Sequence, residues 1–223
     1  MRFRKAAVAT FALLLVYFLA VARHDTLILD VSPNDTPSPR IFGLRTVGQT
    51  ISVKTNGLAR VDFMVGTYQQ AIQADLFFEL WEVGPAKKRV VSKSFSGSVL
   101  KDNLYATAVF PPIRRSKGKS FKFVVSSLSS APENAISLWM NARDIYRDGE
   151  SLFNDAPAGG DLVFKAYAKR TIIAELGRIA TRYPGVLGHP FLPAMALLLF
   201  AVVQSYFFRR LLGHFFGGKG PDA

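Results

Sequence analysis

Apolar and polar residues alternate along the middle of this sequence, and a period of two residues leaves few folds open to it. The stretches RVDFMVGTY, KSFKFVVSSL and DLVFKAYAKR show the pattern and are rich in β-branched and aromatic residues. Such alternation is typical of half-buried strands, because successive side chains of a strand point to opposite faces. Turn-forming residues separate the stretches, and no long amphipathic helix interrupts them. The pattern predicts a mainly β protein, with an antiparallel jelly-roll β-sandwich over residues 24–168.

Two uncharged apolar stretches flank the predicted sandwich, at residues 6–22 and 186–208. The second is long enough for a transmembrane helix, and the first is at the short limit for one. Residues 1–23 form either a retained N-terminal transmembrane anchor or a signal peptide that is cleaved after Ala22. Both alternatives stay open, because a basic start, an apolar run and a small-residue end are compatible with each.

Arginines lie on the outer flank of each apolar stretch. By the positive-inside rule both termini are cytoplasmic, so that residues 209–223 form a cytoplasmic tail and the sandwich is exported. Between the sandwich and the second apolar stretch, residues 169–185 show apolar positions at helical spacing. They predict a juxtamembrane amphipathic helix, which lies either at the membrane interface or against the sandwich.

The formal net charge is +12, from 28 Lys and Arg against 16 Asp and Glu, and seven of the basic residues flank the apolar ends. That placement favours membrane lipids over nucleic acid as the partner of the excess charge, and we predict no nucleic-acid partner. The chain has no cysteine, which excludes disulfides and Cys-ligated metals. Its three histidines lie at or beyond the ends of the predicted sandwich. Neither a catalytic triad nor a histidine metal site is therefore expected, and we predict that the protein is not an enzyme.

Six blocks follow one another in a fixed order over residues 42–167: GQTI, NGLARVDFMVGTY, ADLFFELWE, LKDNLYATAVFPPIRRSKGKSFKFVVSS, ENAISLW and GGDLVFKAY. In this order they resemble a jelly-roll module of bacterial membrane-anchored envelope proteins, which is similar in outline to carbohydrate-binding and galactose-binding-like sandwiches. The resemblance implies a non-catalytic binding or interaction domain in the periplasm, held at the bacterial inner membrane. The loop PPIRRSKGKS departs from the module, since two arginines stand where a more acidic or polar turn is expected.

Candidate ligand-binding residues lie where the predicted strands meet loops. Aromatic faces stack on sugar rings, and a run of cations suits an anionic glycan, a lipid headgroup or an acidic partner subunit. A solvated turn explains the basic run equally well. Trp81 and Trp139 fall within predicted strands, and packing in the core is expected for both. The candidates are Gln49, Arg60, Tyr68, Tyr146, Arg114 and Arg115.

Loop carboxylates at Asp102 and Asp161 suit a structural Ca²⁺, which takes oxygen ligands. Capping of their own turns explains the same residues without a metal. No other cofactor is predicted. The sequence predicts a non-catalytic, membrane-anchored periplasmic module that binds envelope polysaccharide or its precursors. The alternative is an accessory or scaffold subunit of a larger inner-membrane complex, with membrane proteins as its partners.

Overall fold

The structure of the protein is a computed structural model. Most of the predicted N-terminal anchor, the start of the second apolar stretch and the end of the tail lie outside the residues that it describes. Among the helices that it does describe, none is long and apolar enough to cross a membrane. The described residues are 10, 14, 17–18, 20–182 and 191–216.

The chain divides into two compact units. One unit spans Asp25–Lys169, and the other combines Met1–His24 with Arg170–Ala223. The second unit contains helix α1 (Ile172–Arg182) and helix α2 (Phe191–Phe216). Helix α1 lies inside the stretch for which the sequence predicts an amphipathic helix, and α2 continues past the arginines that follow the second apolar stretch.

The start of α1 is stabilised by polar side chains. The Thr171 hydroxyl accepts a hydrogen bond from the backbone N–H of Ala174 at 3.2 Å, as an N-cap residue does. One turn later, Arg178 Nε donates to Glu175 Oε1 at 2.9 Å. The hydrogen bond from Arg178 lowers the pKa of the Glu175 carboxyl, and an acidic side chain in the first turn also complements the helix dipole.

The first unit is built from strands that the alternating pattern predicts. The strands of the described chain are β1 (Arg23–Val31), β2 (Thr36–Pro37), β3 (Thr46–Val53), β4 (Leu58–Gly66), β5 (Leu76–Val83), β6 (Lys88–Phe95), β7 (Leu104–Ile113), β8 (Lys119–Ser126), β9 (Ser137–Asn141), β10 (Ser151–Phe153), β11 (Ala156–Pro157), β12 (Asp161–Leu162) and β13 (Phe164–Thr171).

These strands form two sheets. The first sheet has the order β1-β13-β4-β9-β12, with β2 beside β9 and β7 beside β4, and the second has the order β11-β10-β3-β8-β5-β6. In the described chain, the sheet changes after β2, β3, β4, β6, β7, β8, β9 and β11. Pairing is antiparallel along β3, β4, β5 and β8. The prediction of a mainly β, antiparallel sandwich is confirmed.

Phenylalanines from both sheets meet in the core. Phe63 and Phe164 come from the first sheet, and Phe78 and Phe123 come from the second. The ring centroids lie 5.7 Å apart for Phe63 and Phe78, and 5.5 Å apart for Phe123 and Phe164. None of the four side chains is exposed to solvent. Burial of apolar surface at this seam stabilises the sandwich and holds the turns at its two ends in place.

Candidate functional site

A pocket of about 340 Å³ opens at one end of the sandwich, where β4 ends. The turn after β4, the turn before β7 and the first half of β9 form its walls, and β2 forms its rim. The lining residues are Pro37, Gly66, Tyr68, Gln69, Asp102, Asn103, Ser137, Leu138 and Trp139.

The turn after β4 has an unusual backbone for its sequence. The N–H of Gln70 donates to the carbonyl of Thr67 at 3.1 Å, and the two central residues have φ of 56° at Tyr68 and 59° at Gln69. Two positive φ values define the type I′ turn, which favours Gly, Asn and Asp. A residue with a Cβ costs about 1–2 kcal/mol in the left-handed region. Tyr68 and Gln69 are therefore held in a backbone conformation that is unfavourable for their residue types.

Strained backbone is concentrated at this pocket. Asn103, on the opposite wall, has φ of 59°. Among the described non-glycine residues, five have positive φ, and three of these five line the pocket. The remaining two, Asn154 and Asp155, form the hairpin turn between β10 and β11, for which such residues are usual. Strain that gathers in one concave site points to a function for that site.

Asp102 holds the strained turn. Its Oδ1 accepts hydrogen bonds from the backbone N–H of Thr67 at 2.6 Å and of Tyr68 at 2.9 Å. A carboxylate that accepts two backbone N–H groups forms charge-assisted hydrogen bonds, which are stronger than those between neutral groups. Through Asp102, the turn before β7 thus fixes the turn after β4.

Two aromatic side chains are oriented by further hydrogen bonds. Trp139 Nε1 donates to Asn103 Oδ1 at 2.7 Å, and the hydroxyls of Tyr68 and Ser137 lie 2.7 Å apart. Tyr68 is 40% exposed, and the Arg40 guanidinium lies 4.8 Å from its ring centroid. The pocket therefore combines half-exposed aromatic surface with a ring of polar atoms at fixed positions.

No family model matches the chain, and no curated protein matches it. The geometry of the pocket itself therefore carries the functional interpretation.

Tyr68 is the one predicted ligand-binding residue that lines this pocket. Trp139 also lines it, although the sequence analysis expected Trp139 in the core, and that expectation is wrong. Leu138 and Met140 are buried and Trp139 is half-buried, as alternation along β9 requires. The same alternation, applied to the sequence AISLWMN, could have placed Trp139 on the outer face. Trp81 is likewise half-buried, and its Nε1 donates to Glu79 at 3.1 Å.

Gln49 and Arg60 are placed away from the pocket. Gln49 is fully buried; its Nε2 donates to Asp161 Oδ1 and its Oε1 accepts from the N–H of Leu162, both at 2.9 Å. It lies inside the sandwich, within β3, rather than where a strand meets a loop, as the sequence predicts. Arg60 donates to both carboxylate oxygens of Asp62, at 2.7 and 2.6 Å. Gln49 thus connects β3 with β12, and Arg60 is paired within β4.

Tyr146 packs against the core. Its ring meets Phe164 edge to face at a centroid distance of 5.9 Å, and its hydroxyl accepts a hydrogen bond from the N–H of Ser52 at 2.9 Å. Burial raises the pKa of the Tyr146 hydroxyl. Arg114 and Arg115 are exposed in the loop after β7, beside the start of β4 and therefore at the end of the sandwich remote from the pocket. The six predicted residues do not form one site.

Asp102 and Asp161, the two predicted calcium ligands, have different partners. Asp102 accepts from the turn after β4, whereas Asp161 accepts from Gln49 and from the backbone of residues 145 and 146. Both carboxylates fix loops through N–H donors. Within the part of the chain that the structure describes, no three His, Cys, Asp or Glu side chains come together to hold a metal ion.

Proposed function

We propose that the protein is a non-catalytic binding module that holds a glycan in the pocket formed by Tyr68, Trp139, Asp102 and Asn103. The strained turn at Tyr68 is the observation that supports this function best, because a tyrosine at φ of 56° displays its ring beside a second aromatic residue. Such strain persists only where the surrounding structure imposes it, and it is a recurrent feature of ligand sites.

The chemistry of the lining suits a sugar. The apolar face of a pyranose ring stacks on an aromatic side chain, while its hydroxyls require hydrogen-bond partners around the edge. Gln69 and Asn103 supply amide groups, and the hydroxyl of half-exposed Tyr68 donates and accepts. A volume of about 340 Å³ is at the small end of the range for ligand pockets. A short segment or terminus of a polysaccharide is therefore the ligand class that we propose.

The acidic groups that line the pocket support binding without catalysis. Among the described residues that line the pocket, Asp102 is the sole carboxylate, and its Oδ1 already accepts two backbone N–H groups. Glycoside hydrolysis as a rule uses two carboxyl groups on either side of the scissile bond. This arrangement supports a role in holding a glycan rather than in cleaving it.

The Tyr68→Gly variant tests the pocket. Glycine removes the ring and is unstrained at φ of 56°, so the variant is expected to fold while its affinity for the ligand falls about tenfold, which is about 1.4 kcal/mol. The measurement is titration calorimetry of the full chain, in a detergent without a sugar headgroup, against short oligosaccharides of neutral hexoses, N-acetylhexosamines and uronic acids.

The matched control is Asp155→Gly, which makes the same type of change at φ of 64° in a turn that does not line the pocket. It should leave the affinity within twofold of the parent protein. If no oligosaccharide binds saturably, or if Tyr68→Gly binds as tightly as the parent, the pocket is not a glycan site. Co-purification with stoichiometric membrane proteins would then favour the accessory-subunit alternative.

The location that we propose is the extracytoplasmic side of the bacterial inner membrane, with the jelly-roll-type sandwich held by the terminal segments. Support for this tether comes from the sequence, since residues 6–22 and 186–208 contain no acidic residue, lysine or arginine and have arginines on their outer flanks. Parts of both stretches lie outside the described residues.

A reporter that is active only in the periplasm, fused after Asn134, tests the tether and its orientation. Asn134 ends a short 3-10 helix in the loop between β8 and β9, where an insertion leaves both strands intact. We expect activity from this fusion and from a cytoplasm-only reporter fused at the C-terminus. Activity of a cytoplasm-only reporter at Asn134 would contradict the proposed location.

A further inference from the structure

Cations are concentrated in the turns at one end of the sandwich. Strand register places three turns, residues 54–57, 84–87 and 114–118, at one end: Val53 pairs with Lys119, and Val83 pairs with Ser120. Leu58, which follows the turn 54–57, pairs with Ile113, which precedes the turn 114–118. The pairing of β4 with β7 therefore places these two turns at the same end. We call these three turns the basic end. The pocket lies at the opposite end, where β4 finishes.

The basic end has five cations and no acid within its three turns, a net charge of +5. Three turns at the pocket end, residues 67–75, 96–103 and 127–136, contain one cation and three acids. Residues 38–45, which lead into β3 at the same end, add Arg40 and Arg45, so the net charge of these four segments is 0. The cations are therefore concentrated at the basic end. The five cations are Lys54, Lys87, Arg114, Arg115 and Lys117.

Most of this charge is available to a partner. Arg114, Arg115 and Lys117 are exposed and form no ion pair within the described part of the chain. Lys54 is the exception, since its Nζ lies 2.5 Å from the carboxylate of Asp148. The loop that presents the other three is fixed by Ser116, whose buried hydroxyl donates to the carbonyl of Thr55 at 2.9 Å. The cations therefore project from a rigid base.

The chain enters and leaves the sandwich at this same end. The N–H of Lys169, the last residue of the unit, donates to the carbonyl of Gly57 at 2.8 Å. Asp25, its first residue, lies 2.9 Å from the Lys169 ammonium. Residues 6–22 end three residues before Asp25, and residues 186–208 begin 17 residues after Lys169, beyond helix α1. The chain therefore enters and leaves the sandwich at the basic end.

We propose that the basic end rests on the anionic headgroups of the bilayer in which the chain is tethered. Exposed lysines and arginines near a membrane that contains anionic lipid each increase binding about fivefold, and these effects multiply for a cluster. A nucleic acid or an acidic protein matches the charge but gives no reason for both chain exits to lie in the same cluster. Because β4 has nine residues, this contact would hold the pocket about 25–30 Å from the headgroups. The inference uses the tether of the proposed function but not its glycan ligand.

The test uses the full chain in nanodiscs of phosphatidylcholine, with or without about 30% of the anionic lipid phosphatidylglycerol. Hydrogen–deuterium exchange is measured at backbone amides in residues 54–57, 84–87 and 114–118. We expect exchange at least threefold slower in the anionic discs, and we expect 500 mM NaCl to remove the difference because salt screens exposed charges. Exchange in residues 67–75, at the pocket end, should be equal in the two kinds of disc.

The decisive variant replaces Arg114, Arg115 and Lys117 by Gln and should lose the protection in residues 54–57 and 84–87. Its matched control replaces three exposed cations outside the basic end by Gln, at Arg45, Lys93 and Lys101, and should keep the protection. Equal exchange in the two kinds of disc, or equal loss in both triple variants, would overturn the inference. So would the same protection by soluble heparin in phosphatidylcholine discs, which would assign the surface to a glycan. Failure of the chain to enter discs would overturn the tether together with this inference, whereas glycan binding in detergent would be unaffected.

Discussion

Asp161→Ala is expected to lower the free energy of unfolding of the sandwich by about 3–5 kcal/mol, because it removes the acceptor of a buried network. The Asp161 carboxylate has no exposed surface and accepts from Gln49 Nε2 at 2.9 Å. It also accepts from the backbone N–H groups of Ile145 at 2.8 Å and Tyr146 at 2.7 Å. Alanine would leave three donors without an acceptor, and each unpaired buried donor costs about 1–3 kcal/mol.

The measurement is urea unfolding of the full chain followed by tryptophan fluorescence, since both tryptophans lie in strands of the sandwich. Asp161→Asn keeps one acceptor oxygen and the shape of the side chain, and a smaller loss of about 1–2 kcal/mol is expected. Asp148→Ala is the control for loss of an exposed acid, because Asp148 lies in the loop between β9 and β10, is about half exposed and forms an ion pair with exposed Lys54. A change below about 1 kcal/mol is expected there. A loss of that size for Asp161→Ala would show that the network contributes little to the fold.

The sandwich could be predicted from local sequence because a strand repeats every two residues. Phe121, Phe123 and Val125 alternate in the sequence, and all three are buried on the inner face of β8. The same rule gives the exposed side of a strand, which is where Trp139 lies. Presence in a strand does not by itself predict burial, because one face of each strand borders the core and the other borders solvent.

The network around Asp161 could not be predicted in this way. Gln49 and Asp161 are separated by 112 residues and meet only because β3 and β12 contribute to opposite sheets of the same sandwich. A lone glutamine near a predicted strand end is usually exposed, and the sequence places Gln49 where a strand meets a loop. Its burial depends on a partner that strand pairing brings to it.

Only part of the pocket could be predicted from the sequence, for a related reason. Tyr68 was predicted as a contact residue from its place after a strand, and it lines the pocket. The turn that displays it has positive φ at Tyr68 and Gln69, and neither residue type indicates that conformation. The conformation is imposed by Asp102, 34 residues further along the chain. Long-range acceptors therefore determine both the buried network and the open site.

Phe123→Ala is expected to destabilise the sandwich by about 3–5 kcal/mol, through lost burial and the cavity that remains. Phe123 has no exposed surface and contacts aromatic rings from both sheets, with centroid distances of 5.9 Å to Phe78, 5.5 Å to Phe164 and 6.5 Å to Phe63. It therefore belongs to the seam that joins the two sheets. Since small domains have about 5–15 kcal/mol of stability in total, this loss is a large share of it.

Thermal and urea unfolding of the full chain measure this loss, and two variants separate its causes. Phe123→Leu keeps most of the apolar volume and should cost less than about 1.5 kcal/mol, since volume-conserving replacements are tolerated best. Phe95→Ala truncates a half-buried phenylalanine at the end of β6, and a smaller loss than that of Phe123→Ala is expected because part of its surface is already in water. Phe95 also packs edge to face on Phe63, at a centroid distance of 5.9 Å. Equal losses for Phe95→Ala and Phe123→Ala would therefore show that the loss does not follow the buried area. Because Phe123 does not line the pocket, the folded fraction of Phe123→Ala should keep the glycan affinity of the parent, which distinguishes loss of the scaffold from loss of the site.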